Sequence, residues 1–272
     1  MKKEKGVSSF GDLTKGTRGQ VTIFIILSLI IVAAAAVVYF FYPQIKSTLI
    51  LPANPQDYIQ NCMQNEIKGT IANLSLQGGS IQPSPFYSYY NPALKQSYDV
   101  AYLCYTNKYY SPCIMQQPLL QSYMESQIVT NIQPAADACF QNMEQSYKGR
   151  GYTVNVIPGN ITAQILPNKV LVTFNDQVTL ERSGTPQRYD SFPVAVSSQV
   201  YQLVSVAESV LNWEALYGDA PARSYMANYH DLLVEKNSQS DGTKVYVLTN
   251  LNTGEVFQFA VRSFVWPLGY GY

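Results

Sequence analysis

The stretch of sequence that decides the architecture is residues 15–42, which read KGTRGQVTIFIILSLIIVAAAAVVYFFY. Residues 21–42 are 22 amino acids without a charge. A helix of that length rises about 1.5 Å per residue and spans roughly 33 Å, which is enough to cross the apolar core of a bilayer. The run is longer than the apolar part of a secretory signal peptide, and it ends in aromatic residues typical of a membrane interface. The sequence therefore predicts a transmembrane helix over residues 20–42 and a juxtamembrane linker over residues 43–53.

Charges on the two sides of this helix predict its orientation. Residues 1–19 carry five cations and two anions, whereas residues 43–60 carry one cation, Lys46. Flanking segments rich in Lys and Arg stay in the cytoplasm. We therefore expect a single-pass membrane protein with a cytoplasmic N-terminus, an extracellular C-terminal domain and the lipid bilayer as its first partner.

The junction before the helix resembles the class III signal peptide of archaeal type IV pilins and archaellins. In that family a basic residue and a glycine precede the cut, and a glutamine often starts the mature chain. Arg18, Gly19 and Gln20 match this pattern. The resemblance implies that residues 1–19 are a basic leader, cut between Gly19 and Gln20 by a prepilin-type peptidase. It also implies self-association through the retained helix, although Phe24 stands where many such pilins carry a glutamate.

Residues 54–150 have mostly helical periodicity. Asn54-Pro55 is a typical helix start, and Gly78-Gly79 ends the apolar stripe that follows. Residues 119–132 and 135–147 repeat the helical spacing, and Pro134 between them predicts a break. Residues 80–98 contain three prolines and five aromatic residues, a pattern from which we expect an irregular loop before a short strand at residues 100–105.

Residues 151–272 have mostly strand periodicity. Four strands are expected between residues 152 and 182, where apolar and polar residues alternate. A helix is expected from Ser197 or Ser198 to Gly218, followed by a three-stranded meander over residues 232–262. The whole chain therefore predicts an α+β fold, in which the membrane helix is followed by an extracytoplasmic head of helices packed on antiparallel sheet. In its layout this head resembles uncharacterised archaeal surface proteins.

The four cysteines predict disulfide bonds. All four follow the membrane helix, where the compartment is oxidising, and no two of them have the CxxC spacing of a zinc site. Three pairings are possible. Cys104 and Cys113 are nine residues apart across a turn-like segment, and Cys62 and Cys139 each lie on the apolar face of a helix. We therefore expect the pairs Cys62–Cys139 and Cys104–Cys113, and no metal site.

Two other groups of residues are candidate sites. Asn73-Leu74-Ser75 and Asn160-Ile161-Thr162 are acceptor triplets for N-glycosylation, and Asn160 is the better candidate because it follows a turn-like Pro-Gly. Tyrosine offers a large rigid face and a hydroxyl group, so the aromatic residues of the two loops could bind a glycan or a protein. The favoured alternative is that they hold the loops against their own domain, because a loop of 19 residues needs contacts to hold it. These residues are Phe86, Tyr87, Tyr89, Tyr90, Tyr109 and Tyr110.

Composition excludes several classes of function. Lys plus Arg and Asp plus Glu each number 18, so the formal net charge is zero, which argues against a nucleic-acid partner. The chain has one histidine and no recognisable catalytic or cofactor motif, so we expect neither an enzyme nor a cofactor. The leading hypothesis is a pilin-like surface protein with a structural or adhesive role. The alternative is a monomeric anchored module that binds a ligand such as a glycan.

Overall fold

A computed structural model describes residues 25–33 and 54–265. The basic leader, its cleavage junction, the linker and most of the predicted transmembrane helix lie outside the described residues. Residues 25–33 are helical, and their side chains are exposed. Within the two described segments, no helix combines the length and the apolarity that crossing a membrane requires. The head, described from Asn54 onward, belongs to a separate compact unit.

Residues 54–265 of the head contain four helices, and local chemistry favours the residues found at several of their ends. Asn54 caps the first helix, because its Oδ1 accepts a hydrogen bond of 3.0 Å from the backbone N–H of Gln56. Gly218 ends the third in the left-handed region, at φ 76°. The helices are α1 (Pro55–Leu76), α2 (Leu120–Lys148), α3 (Val200–Tyr217) and α4 (Ala222–Asn228).

The expected break at Pro134 is wrong, because α2 runs through the proline as one helix of 29 residues. A proline inside a helix costs about 3 kcal/mol through its missing N–H and the clash of its ring. The buried stripe of α2 continues on both sides of it, with Ile128 and Ile132 before and Ala136 and Phe140 after. Packing of this stripe against α1 and the neighbouring strands outweighs the local cost of the proline.

Twelve strands form three sheets in the described part of the head. One sheet has the order β1-β2-β12-β11-β10 with β3 beside β2, and the others have the orders β4-β7-β8 and β5-β6-β9. Neighbouring strands are antiparallel except β2 and β12, which are parallel. The strands are β1 (Phe86–Asn91), β2 (Gln96–Tyr105), β3 (Ile114–Met115), β4 (Thr153–Ile157), β5 (Ile161–Leu166), β6 (Lys169–Phe174), β7 (Gln177–Arg182), β8 (Thr185–Tyr189), β9 (Phe192–Ser197), β10 (Leu232–Ser238), β11 (Thr243–Asn250) and β12 (Val256–Arg262).

The α+β fold with mostly antiparallel sheets is as predicted, but the irregular loop at residues 80–98 is wrong. Its aromatic residues form a hairpin in which β1 pairs with the first half of β2. Asn91 sets the turn, because its Oδ1 accepts hydrogen bonds from the backbone N–H groups of Ala93 and Leu94. Pro83, Pro85 and Pro92 all lie outside the strands, where they leave the ladder intact. Strands β3, β8 and β9 and helix α4 were also not predicted from the sequence.

A single main core joins the helical and the β-rich parts of the head. Phe140 of α2 lies 6.0 Å from Phe174 of β6 and 5.3 Å from Phe192 of β9, measured between ring centroids. The same core includes the buried stripes of α1 and α3 and the inner face of the sheet that contains β2. The two parts of the sequence are therefore held together by shared burial of apolar side chains.

Candidate interaction surfaces

A second, smaller core lies on the outer face of the sheet that contains β2. Residues of β12 alternate between the two faces, so Phe257 and Phe259 belong to the main core and Ala260 to the smaller one. Strand residues alone form the smaller core. We call this surface the tyrosine face, and it consists of Tyr87, Tyr89, Tyr98, Tyr102 and Tyr105 lying over Val100, Val245, Val247, Val256 and Ala260.

A bulge in β2 brings two of these tyrosines together. Tyr102 pairs with Ala260 and Cys104 pairs with Val261, so Leu103 is an extra residue on β2. The bulge turns Cys104 toward the main core. It leaves Tyr102 and Tyr105 on the same face, with ring centroids 5.0 Å apart.

Hydrogen bonds link the tyrosine face to the β10–β11 turn. The hydroxyl of Tyr102 lies 2.7 Å from Oγ1 of Thr243, which donates to Asp241 at 3.0 Å. The hydroxyl of Tyr87 donates to Oε1 of Gln239 at 3.2 Å. Burial raises the pKa of Tyr102 above its ordinary value. Tyr102 therefore stays neutral, and both tyrosine side chains lie against the sheet.

A row of stacked side chains extends from the tyrosine face to the loop after β2. The guanidinium of Arg262 lies 5.8 Å from the ring centre of Tyr105 and 4.7 Å from that of Phe264. Phe264 in turn lies 5.1 Å from Tyr109. Tyr109 and its neighbour Tyr110 are 66% and 76% exposed, so the row ends in two tyrosines open to solvent.

The structure divides the six predicted binding-surface residues into three groups. Tyr89 is buried and Tyr87 is half-buried in the tyrosine face. Tyr109 and Tyr110 are exposed in the loop. Phe86 and Tyr90 point to the opposite side of the hairpin because they alternate with Tyr87 and Tyr89, and they are 48% and 57% exposed.

Two disulfides stabilise these elements, and they are the two pairs expected from the sequence. Cys62–Cys139 joins α1 to α2 with the Cα atoms 6.3 Å apart. Cys104–Cys113 closes the loop that carries the exposed tyrosines, with the Cα atoms 5.3 Å apart. The loop is further held by the backbone N–H of Cys113, which donates to Oγ of Ser263 at 3.2 Å.

Both candidate glycosylation sites are on the surface. Asn73 lies on the exposed side of α1, near its C-terminal end. Asn160 lies just before β5, and its Oδ1 accepts a hydrogen bond of 3.1 Å from the side chain of Asn175. Glycan attachment at either residue stays a prediction.

Sequence reasoning missed a buried cluster of charges beneath the end of α3. Glu214 is fully buried; it accepts a hydrogen bond from the Tyr246 hydroxyl and one of 2.6 Å from Lys244. Lys244 also donates to the carbonyl of Gly218 at 2.6 Å, and Asp219 lies between Lys244 and Lys236 at 3.3 Å and 2.8 Å. Two carboxylates thus pair with two ammonium groups at the C-terminal end of α3, beside its last carbonyl groups.

The cluster links α3 to the sheet through ion pairs and hydrogen bonds. Burial raises the pKa of Glu214, while Lys244 and the Tyr246 hydroxyl act in the opposite direction. Burial and the nearby Glu214 raise the pKa of Tyr246, so its hydroxyl remains a donor. The helical periodicity of the sequence indicates that Glu214 is buried, because it occupies the next core position after Val210 and Leu211 in the apolar stripe of α3.

Among residues 25–33 and 54–265, no three His, Cys, Asp or Glu side chains lie close enough to hold a metal ion. The chain matches no protein-family model, no curated protein and no solved structure.

Proposed function

We propose that this chain is a pilin-like cell-surface protein with a structural or adhesive role. In this proposal the N-terminal helix anchors the protein and associates with copies of itself, while the head is displayed outside the cell. The observation that carries the adhesive part is the pair of exposed tyrosines, Tyr109 and Tyr110, on a loop closed by a disulfide. Tyrosines on a rigid loop make contact area at little cost in conformational entropy.

The two disulfides support a location outside the cytoplasm. Such bonds persist in oxidising compartments and are rare where thiols are kept reduced. All four cysteines of the chain are paired. The low share of charged residues, 13% of the chain, is consistent with a surface made polar by hydroxyl and amide groups.

The course of α1 separates the β1–β2 hairpin from the point at which the chain enters the head. The chain enters the head at Asn54, and α1 carries it about 33 Å at 1.5 Å per residue. At the far end the carbonyl of Gln77 accepts a hydrogen bond of 3.2 Å from the N–H of Ala101 in β2. Gly78 permits this approach because it has no Cβ, and a Cβ there would lie 2.8 Å from that of Ala101. The β1–β2 hairpin therefore lies at the end of α1 opposite to the entry of the chain.

Leader processing is the first prediction of this proposal. The Arg18-Gly19-Gln20 junction before an apolar helix resembles the cleavage site of archaeal pilins. Mass spectrometry of the native protein should find Gln20, or its pyroglutamate, as the first residue. A mature chain that starts at Met1 or Lys2, or that is cut after Ala36, would contradict the pilin-like proposal.

The second prediction separates assembly from simple anchoring. Helices in lipid associate by close packing of small residues, since their burial from water is already complete. The substitution Ala34→Leu should therefore abolish filaments seen by electron microscopy while the protein stays in the membrane fraction, because Leu is favourable in lipid. Ile31→Leu, which conserves volume, serves as the control and should leave assembly unchanged.

A specific residue favours the alternative function, a monomeric anchored module that binds a ligand such as a glycan. Phe24 replaces the glutamate that many pilins carry at the fifth mature position. Cells that show the mature Gln20 terminus but no filaments, with or without Ala34→Leu, would favour this alternative over assembly.

A further inference from the structure

A groove between α3 and α4 forms a concave surface that includes no residue of the tyrosine face. Its larger compartment has a volume of about 790 Å³, and its smaller one about 270 Å³. The larger volume lies within the range of roughly 300–1,000 Å³ that is usual for ligand sites. Ser209 of α3 and Tyr225 of α4 line both compartments, and their hydroxyl groups are 2.8 Å apart. The groove is therefore one elongated site that this hydrogen bond divides.

Aromatic side chains are distributed along the whole groove. On α3 they are Tyr201, Trp213 and Tyr217. Tyr201 and Tyr217 lie about 24 Å apart along the helix axis, at 1.5 Å per residue. On α4 and just after it, Tyr225 and Tyr229 face them. Trp213 is 42% exposed, and its ring centroid lies 4.9 Å from that of Tyr217. The groove thus presents partly exposed aromatic rings at both of its ends.

The polar groups of the groove are almost all neutral. Ser205, Ser209, Ser224 and Asn228 supply hydroxyl and amide groups, each of which can donate and accept hydrogen bonds. Asp219 is the one charged residue among those that the structure places in the lining. Its carboxylate is neutralised by Lys236 at 2.8 Å and Lys244 at 3.3 Å. The lining that the structure describes therefore offers a charged ligand no unpaired group of opposite charge.

We propose that the α3–α4 groove binds a linear, neutral oligosaccharide. The C–H face of a pyranose ring carries a slight positive charge and stacks on the negative face of Trp or Tyr. Its hydroxyl groups donate and accept, as do the hydroxyl and amide groups between the aromatic rings. The succession of aromatic faces along α3 matches a chain of sugar rings, and the neutral lining matches a glycan without carboxylate or sulfate groups.

An extended peptide is the main competing occupant, and the lining favours it less. Peptides that bind aromatic grooves are rich in proline, and they offer few groups that both donate and accept hydrogen bonds. The lining includes neither Tyr109 nor Tyr110 and no residue of the tyrosine face, so the inference goes beyond the proposed function and can fail independently of it.

The test uses the fluorescence of Trp213 in the full-length chain. The sequence contains two tryptophans, so Trp266→Phe makes Trp213 the single reporter. The protein, in a detergent without a sugar headgroup, is titrated with maltohexaose, cellohexaose, mannohexaose and xylohexaose. We expect a saturable change with at least one of these and none with a proline-rich decapeptide.

Three variants locate the site, with binding measured by calorimetry. Trp213→Ala should weaken binding of the active hexasaccharide at least ten-fold, and Tyr217→Ala at least three-fold. Ile157→Ser changes an exposed apolar residue of β4 outside the groove and should leave the affinity within two-fold. Circular dichroism must show that each variant is folded. No saturable change with any of the four glycans, unchanged affinity in both groove variants, or saturation by the decapeptide alone would overturn the proposal.

Discussion

Replacing Cys62 by alanine is expected to lower the free energy of unfolding of the head by about 4–5 kcal/mol. The disulfide Cys62–Cys139 closes a loop of 77 residues between α1 and α2. Its loss frees the unfolded chain to sample many more conformations, and the loop-entropy estimate for this length is about 4.5 kcal/mol. Denaturation by guanidinium, followed by circular dichroism under non-reducing conditions, measures the change.

The second disulfide provides a matched control for this result. Cys104–Cys113 closes a loop of only nine residues, for which the same estimate is about 2.6 kcal/mol. Cys104→Ala should therefore cost clearly less than Cys62→Ala. Equal losses, or a larger loss in Cys104→Ala, would show that local strain or packing, and not loop length, determines what each disulfide contributes.

Glu214→Leu is expected to destabilise the head by about 3–5 kcal/mol, which is the usual cost of leaving a buried charge without its partner. The substitution removes the acceptor for Lys244, whose Nζ lies 2.6 Å from the carboxylate, and for the Tyr246 hydroxyl. Lys244 keeps only the Gly218 carbonyl and the more distant Asp219. Chemical denaturation of the variant beside the parent protein measures the loss.

Two comparisons give this prediction its controls. Glu144→Leu removes one partner of the exposed pair Glu144–Lys148, and such surface pairs contribute about 0–1 kcal/mol. The triple variant Glu214→Leu, Lys244→Met, Tyr246→Phe replaces the buried group with apolar side chains and should recover much of the stability. If Glu214→Leu lowers the free energy of unfolding no more than Glu144→Leu does, the buried cluster does not stabilise the packing of α3 on the sheet.

The parts of the fold that the sequence predicted well are those set by neighbours along the chain. Helix α1 begins after Asn54 and α3 ends at Gly218, as expected, because capping and left-handed termination depend on residues within one turn. The strands between residues 152 and 182 follow the alternation of apolar residues. The cysteine pairs follow from a short spacing and from two facing helices.

The candidate surfaces were predicted only in part. Each error has a physical reason. Residues 86–91 form a strand because β2 supplies its hydrogen-bond partners, which outweighs the surrounding prolines. The same pairing places Tyr87 and Tyr89 on the tyrosine face, while Tyr109 and Tyr110 stay exposed. The groove went unnoticed because α4 is a helix of seven residues without a buried position of its own. Such a helix carries no amphipathic signal.

Local sequence was sufficient for the α+β class, most helix ends, the strands between residues 152 and 182 and the pairing of the cysteines, because these depend on short-range periodicity, caps and spacing. Tertiary structure alone decided the parallel pairing of β2 with β12, the tyrosine face and the charges under α3. Gln258 illustrates the reason. Buried on β12, it donates a hydrogen bond of 2.7 Å to the carbonyl of Leu76, 182 residues away, and accepts one of 3.0 Å from Asn91. A contact between positions so distant in the chain leaves no periodic trace in either segment, and it exists only because burial without a partner would cost each group more.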